Sequence, residues 1–381
     1  MRPGRVLLGV VAALLVAVIL GLGVAWGLPA LQRHWASARS VELADAAEER
    51  IALGDGPGAL ELLRQSVNAR PGPSTSAVLR RLITISLGPE DDPDTASDAC
   101  ELLLSLTPSD GDALFAAGLA LARQGRHLEA AERFLQAAES RDEWPEARAN
   151  AGLCYLSAGD GDRAAPLLEE AAGPLAVTHP EILTALGRSL LRILPPNPDA
   201  AEEAFARATA LDPTDGEAQA GMGIVQYLRG DLEEALSRLA EAALLAPLDA
   251  DVLATQGALL ARAGRDTEAE EAFHRALAVE PGHATARYDL GCLYLRRREG
   301  LLAEVQFRIA CQAMPDDPLA RLGWAMALRL EGRDEEAATQ LTRSLALSPP
   351  GGAVSLARSE LLALSSGAEE PMSLPPGSSG E

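Results

Sequence analysis

The side chains of this chain that could carry chemistry are thinly and irregularly placed. Cysteines stand at Cys100, Cys154, Cys292 and Cys311, and histidines at His34, His127, His179, His274 and His283. Neither set contains a C-x-x-C pair or the close His/Cys spacing that a tetrahedral zinc site requires. The cysteines therefore read as small apolar residues in helix packing. Adjacent carboxylates occur at Glu202-Glu203, Glu233-Glu234 and Glu335-Glu336. Each pair falls where a helix is expected to begin, and negative charge there complements the helix dipole. No G-x-S-x-G, G-x-x-x-x-G-K-[ST] or H-E-x-x-H occurs, and no βαβ pattern surrounds a nucleotide loop. The expectation is a protein that is not an enzyme and uses no metal or cofactor.

The elements that would position these groups follow from composition. Aromatic residues make up 3% of the 381 residues while AVILMFWYC reach 48%. That apolar mass is mostly Ala, Leu and Val, which suits close helix packing better than sheets. The fold class is expected to be all-α. All 33 basic residues are arginine, a bias that fits a GC-rich bacterial genome. Beyond Trp35 the chain carries 30 arginines against 55 acids, so this part repels nucleic acid and anionic lipid.

The N-terminal segment 1–5 is basic, and Val6 to Leu28 contains no charged or amide side chain. As a helix this run is roughly 34 Å long, enough to cross a hydrocarbon core of about 30 Å. Residues 6–28 are expected to form one transmembrane anchor; a cleaved signal peptide, with Gly23-Val24-Ala25 as its small-residue site, is the alternative. Arg2 and Arg5 before the span point to a single-pass protein of a bacterial inner membrane with its large domain periplasmic. Gly9, Ala13, Ala17 and Gly21 form a small-residue strip on which two such helices could pair as a homodimer.

Periodicity decides the rest. Glycines fall at Gly118, Gly152, Gly187, Gly223, Gly257 and Gly291, in steps of 34, 35, 36, 34 and 34 residues, with Ala325 in the next place. A second ladder runs Ala130, Ala164, Ala201, Ala235, Ala269, Ala303 and Ala337. Four residues after each stands Phe134, Leu168, Phe205, Leu239, Phe273, Phe307 or Leu341. Turn glycines at Gly125, Gly159, Gly230, Gly264 and Gly332 separate a helix A from a helix B, and prolines such as Pro213, Pro247 and Pro281 close the units. The expected contact is a ladder glycine of helix A, such as Gly223, against a ladder alanine of helix B, such as Ala235, with the Phe or Leu filling the adjacent hollow.

These residues resemble the tetratricopeptide repeat. Tyr288-Asp289-Leu290-Gly291-Cys292-Leu293-Tyr294, continuing to Ala303, Phe307, Ala310 and Pro315, follows its pattern closely, as does Gly223 to Pro247. Nine units span 40–349, strongly matched from 109 onward, with departures at Gly88–Pro93, at Pro195-Pro196-Asn197-Pro198 and at Arg298, which stands where a turn glycine belongs. The resemblance implies a right-handed α-α superhelix over 36–364, closed by an amphipathic helix at 353–364. A disordered tail is expected over 365–381. It also implies that helix A faces grip a peptide or helix of a partner protein. The residues in the matching groove positions are Phe115, Leu119, Leu153, Leu156, Ile224, Tyr227, Tyr288, Leu295, Leu322 and Met326, with Asp112, Glu146, Glu181, Glu217 and Asp251 along the rim. The Lys and Asn of carboxylate-clamp domains, which hold a chaperone's acidic tail, are missing from these positions. Arg296-Arg297-Arg298 reads as a helix C-terminal cap. The expected function is a membrane-anchored scaffold for a bacterial envelope complex. A self-assembling structural subunit and a glycosyltransferase accessory are the alternatives.

Overall fold

The computed structural model describes residues 28–69, 71–88, 91–141, 143–347 and 351–366. Among them there are nineteen α-helices and no strand, as the composition requires. The expected span over 6–28, its signal-peptide alternative and the small-residue strip lie outside the described residues, apart from Leu28, which opens the first helix. No described helix is long and apolar enough to cross a membrane.

The chain divides into two compact units. One comprises the residues through Leu175 with Arg192–Leu194, the other Ala176–Leu191 and Pro195 onward. The first unit contains α1 (Leu28–Ala52), α2 (Gly56–Ala69), α3 (Pro73–Leu87), α4 (Pro93–Leu106), α5 (Gly111–Arg123), α6 (His127–Glu139), α7 (Pro145–Ser157) and α8 (Gly161–Leu175). The second contains α9 (Glu181–Arg192), α10 (Pro198–Leu211), α11 (Gly216–Leu228), α12 (Leu232–Leu245), α13 (Ala250–Arg262) and α14 (Asp266–Val279). It continues with α15 (Ala284–Arg296), α16 (Gly300–Ala313), α17 (Pro318–Leu330), α18 (Asp334–Ala346) and α19 (Gly351–Ser366). Odd-numbered helices α1 to α17 are the A helices; each packs against the B helix that follows it in the chain. Helix α1 begins well before the expected first repeat, at Leu28 rather than near residue 40.

The tight turns explain the fixed A-to-B spacing. Gly125 has φ +74°, its N–H reaches the Ala122 carbonyl at 3.0 Å, and the Arg126 N–H reaches that of Leu121 at 2.9 Å. These bonds satisfy the last carbonyls of α5 and need a left-handed residue between them. The α15–α16 turn keeps the same bonds without glycine: Arg298 takes φ +60°, and the Glu299 N–H bonds to the Tyr294 carbonyl at 2.9 Å. The longer loop before α10 is closed by Asn197, which caps that helix at the Ala200 N–H and donates its own N–H to the Leu190 carbonyl.

Packing refines the expected contact between ladders. The ladder glycines lie chiefly against the Phe or Leu of helix B, with the alanine's carbonyl also close at Gly152 and Gly223. A Cβ placed on Gly257 would sit 2.7 Å from two ring carbons of Phe273, and one on Gly187 2.6 Å from Phe205. At Gly223 the nearest atoms are Leu239 Cγ at 3.1 Å and the Ala235 carbonyl oxygen at 3.2 Å. The ring needs a flat, side-chain-free surface, which only glycine provides. The ladder alanines are all fully buried, as are Phe205, Phe273 and Phe307. Burying each ring stabilises by about 1.5–3 kcal/mol. In the second unit α19 closes the stack, burying Ala353 and Ala357 and pairing Glu360 with Arg329. The helix runs to Ser366, and residues 367–381 of the expected tail lie outside the described residues.

Candidate functional site

Helices α11, α13, α15 and α17 stand side by side in the second unit. Their starts are fixed by a row of caps at 34-residue intervals: Asp215, Asp249, His283 and Asp317. The carboxylates of Asp215 and Asp249 accept from the Ala218 and Val252 N–H groups at 2.9 and 3.0 Å, and His283 Nδ1 accepts from that of Ala286 at 3.1 Å. Capping thus gathers acids along one edge of the A face. Glu217 and Asp251 occupy the first turns beside them, and one carboxylate oxygen each from Glu217, Asp249 and Asp251 lies within 4.8 Å of the others.

This edge is electrostatically loaded. Burial, together with Asp249 and Asp251, pushes the Glu217 carboxyl above its usual range, although Arg188 Nη1 donates to both its oxygens at 3.2 Å. His283 Nε2 meets Asp251 Oδ1 at 3.0 Å, and that bond raises the imidazole pKa. Protonation also has a local cost, because Nδ1 can accept from Ala286 only while it carries no hydrogen. Each of the three carboxylates already serves a cap, an arginine or a histidine. The cluster acts as a negative edge beside the helix face.

The floor next to this edge is apolar and partly open. Ile224, Tyr227, Ala258 and Ala261 are half-buried, and Leu228 is 48% exposed. At the opposite edge Arg262 Nη1 donates to the Tyr227 hydroxyl at 2.6 Å, and its guanidinium lies 5.4 Å from the ring centre. The face therefore runs from carboxylates, over a narrow apolar strip, to a guanidinium.

The ten groove residues divide on burial. Ile224 and Tyr227 lie on this floor. Leu156, Tyr288, Leu295, Leu322 and Met326 are buried and present no surface to a partner. Tyr288 packs edge-on against Phe307, at 5.6 Å between ring centres, while Leu322 and Met326 share an apolar cluster with α19. In the first unit Leu119 is half-buried and Leu153 is 36% exposed. Phe115 is held in an aromatic stack, edge-on to Phe134 and parallel to Trp144, each at 5.1 Å, with Arg141 over Trp144 at 4.3 Å. On the rim Asp112 pairs with Arg141 at 2.5 Å and Glu181 with His179 at 3.0 Å. Asp249 and Trp144 were not among the expected site residues. The regular 34-residue spacing of Asp215, Asp249, His283 and Asp317 is the signal that marks the former.

The arginine run turns out to link repeats. Arg296 donates to the Ala261 carbonyl of the preceding A helix at 2.9 Å and to Asp266, and Arg297 pairs with Glu270 at 2.5 Å. Of the paired acids, Glu233-Glu234 and Glu335-Glu336 do fall in first turns, whereas Glu202 lies further along α10 and pairs with Arg229. Cys100, Cys154 and Cys311 are deep in packing: burial pushes the thiols of Cys154 and Cys311 up to about 11 and that of Cys100 up to about 12.

Sequence models of the tetratricopeptide repeat match residues 91–145, 115–176, 197–259 and 254–318, which together cover more than half of the chain. The chain is a tetratricopeptide-repeat protein. No curated protein sequence matches it. Among solved structures, a tetratricopeptide repeat protein from Parabacteroides merdae ATCC 43184 is 16% identical, covering 76% of this chain and 99% of that one, at a TM-score of 0.46. Yeast Tom70 is 15% identical over 85% of this chain and 80% of its own, at 0.44. MamA 41-end from Desulfovibrio magneticus RS-1 is 19% identical over 45% and 94%, at 0.42. Neither matched repeat model describes an enzyme, and tetratricopeptide repeats mediate contacts between proteins.

Proposed function

We propose that this tetratricopeptide-repeat protein is a membrane-held scaffold of a bacterial envelope complex, and that the second unit's A face receives a cationic amphipathic segment of a partner. One observation supports the binding reading above the rest. The carboxylates of Glu217, Asp249 and Asp251 crowd one edge of a half-open floor made by Ile224, Tyr227 and Leu228. An amphipathic helix or extended segment would lay its apolar side on that floor and turn basic residues toward the acids. The charge of −22 carried by the chain adds long-range attraction for such a partner. Titration of the full chain in detergent with fluorescent amphipathic peptides, identical except for Arg or Glu flanks, tests this. The Arg peptide should bind, weaken as salt rises, and be lost with Ile224→Arg. Preferential, salt-insensitive binding of the Glu peptide would refute it.

The membrane part rests on the uninterrupted apolar run Val6 to Leu28 and on Arg2 and Arg5 before it. A C-terminal alkaline phosphatase fusion checks the side. High activity with a membrane-bound product supports a periplasmic repeat domain; a soluble, cleaved product or an inactive fusion counts against it.

A further inference from the structure

Helix α16 breaks the surface pattern of its neighbours. Leu301, Leu302 and Val305 are 63%, 48% and 40% exposed, and Ile309 continues the same stripe half-buried. The residues one repeat earlier are Thr267, Glu268, Glu271 and Arg275, and one repeat later Glu335, Glu336, Thr339 and Arg343. All eight of these are exposed, and none is a large aliphatic. An apolar stripe of two helical turns, where sister repeats carry charge and hydroxyl groups, is the kind of surface that is covered in the working protein.

The charges around the stripe indicate what covers it. Toward the starts of α14 and α18 lie Glu268, Asp334, Glu335 and Glu336, of which Glu268 and Glu336 are already paired with Arg265 and Arg333, while Arg275, Arg308 and Arg343 lie toward the ends of α14, α16 and α18. The patch is acidic at one end and basic at the other. A second copy turned end for end places each acidic end over an arginine end and lays stripe on stripe. Such self-complementarity is what a two-fold contact needs. We infer that α16 is the centre of an antiparallel, two-fold contact between two copies of this chain, with Val305 at the axis.

Glu271, midway along its row, would face its own counterpart, and each copy carries a charge of −22. Both features oppose association, so the dimer is reversible. This contact lies on a B helix, apart from the A face proposed above to hold a partner, and its failure leaves that reading intact.

Site-specific crosslinking of the full chain in detergent tests the contact. The native thiols of Cys100, Cys154 and Cys311 are buried and that of Cys292 is half-buried, so the unsubstituted chain supplies the background. Under mild oxidation Val305→Cys should give at least tenfold more covalent dimer than either the unsubstituted chain or Ser237→Cys, the exposed counterpart on α12. Arg343→Glu added to Val305→Cys should cut the yield several-fold, and Glu335→Arg added to both should restore it. Pairing through the N-terminal apolar segment alone would raise no position above another. A Val305→Cys yield equal to that of Ser237→Cys, or one indifferent to the charge reversal, overturns the inference.

Discussion

Replacing Gly257 by alanine isolates a glycine–ring contact that recurs at Gly118, Gly187 and Gly291. The new Cβ would lie 2.7 Å from Phe273 Cδ1 and Cε1, whereas unstrained carbon contacts lie at about 3.5–4.0 Å. Overlap of this size in a packed core costs about 1–3 kcal/mol. Alanine also gains about 1 kcal/mol over glycine in a helix interior, so the net loss is about 0–2 kcal/mol. The decisive quantity is the coupling. In the last repeat the same place holds Ala325, with Leu341 sixteen residues on where three sister repeats carry Phe after glycine. Leucine can rotate away from a methyl group; a rigid ring cannot. Gly257→Ala combined with Phe273→Leu should therefore be more stable than the two single losses add up to, by about 1 kcal/mol or more. Because repeat arrays need not unfold in one step, peptide-resolved hydrogen exchange over α13 and α14 is the suitable measurement. Additivity within about 0.3–0.5 kcal/mol would show that the glycine is not there for the ring.

Three further outcomes are expected. Arg298→Gly relieves a left-handed arginine at φ +60° and should stabilise the last repeats by about 1 kcal/mol in urea titrations; an unchanged midpoint would contradict the turn assignment. Asp251 raises the His283 pKa, so that bond's contribution is complete below the unfolded value of about 6.5 and fades as pH climbs through the higher folded value. Between about pH 6 and 8 the melting temperature of the native protein should consequently fall more than that of His283→Asn, which keeps a cap but cannot titrate; parallel curves would exclude the effect. Glu217 is harder to ionise in the fold than outside it, owing first to burial and then to its acidic neighbours. Glu217→Gln should raise the melting temperature near neutral pH while weakening cationic peptides, and a change of opposite sign in either assay would argue against a loaded edge.

The repeat itself could be read from the chain because glycine, alanine and proline sit where backbones touch or stop, and such positions tolerate few substitutes. Spacing alone does not say whether the alanine or the residue four places later lies nearer the glycine: at Gly257 the Phe273 ring is nearest, whereas at Gly223 Leu239 and the Ala235 carbonyl are almost equally close. Exposure on the A face was half legible for a similar reason. Ile224 stays half-open beside the small Ala258, whereas Leu322 and Met326 disappear into the cluster that includes α19. Whether a groove position is floor or core depends on the neighbours' bulk, which periodicity does not report. The division after Leu175 carried a faint local mark: α8 contains Pro166 and Pro174, each lacking the N–H that an uninterrupted helix would use.

The arginines that reach back one repeat have a mechanical corollary. Arg296 grips the end of α13, and Arg123 likewise grips the Leu87 carbonyl at the end of α3. These two hairpins are thereby fastened to their predecessors at the C-terminal ends of the preceding A helices. A repeat array pulled from both ends would yield in discrete extensions of one repeat, each releasing roughly 110 Å of contour. Most of the chain would meanwhile stay folded.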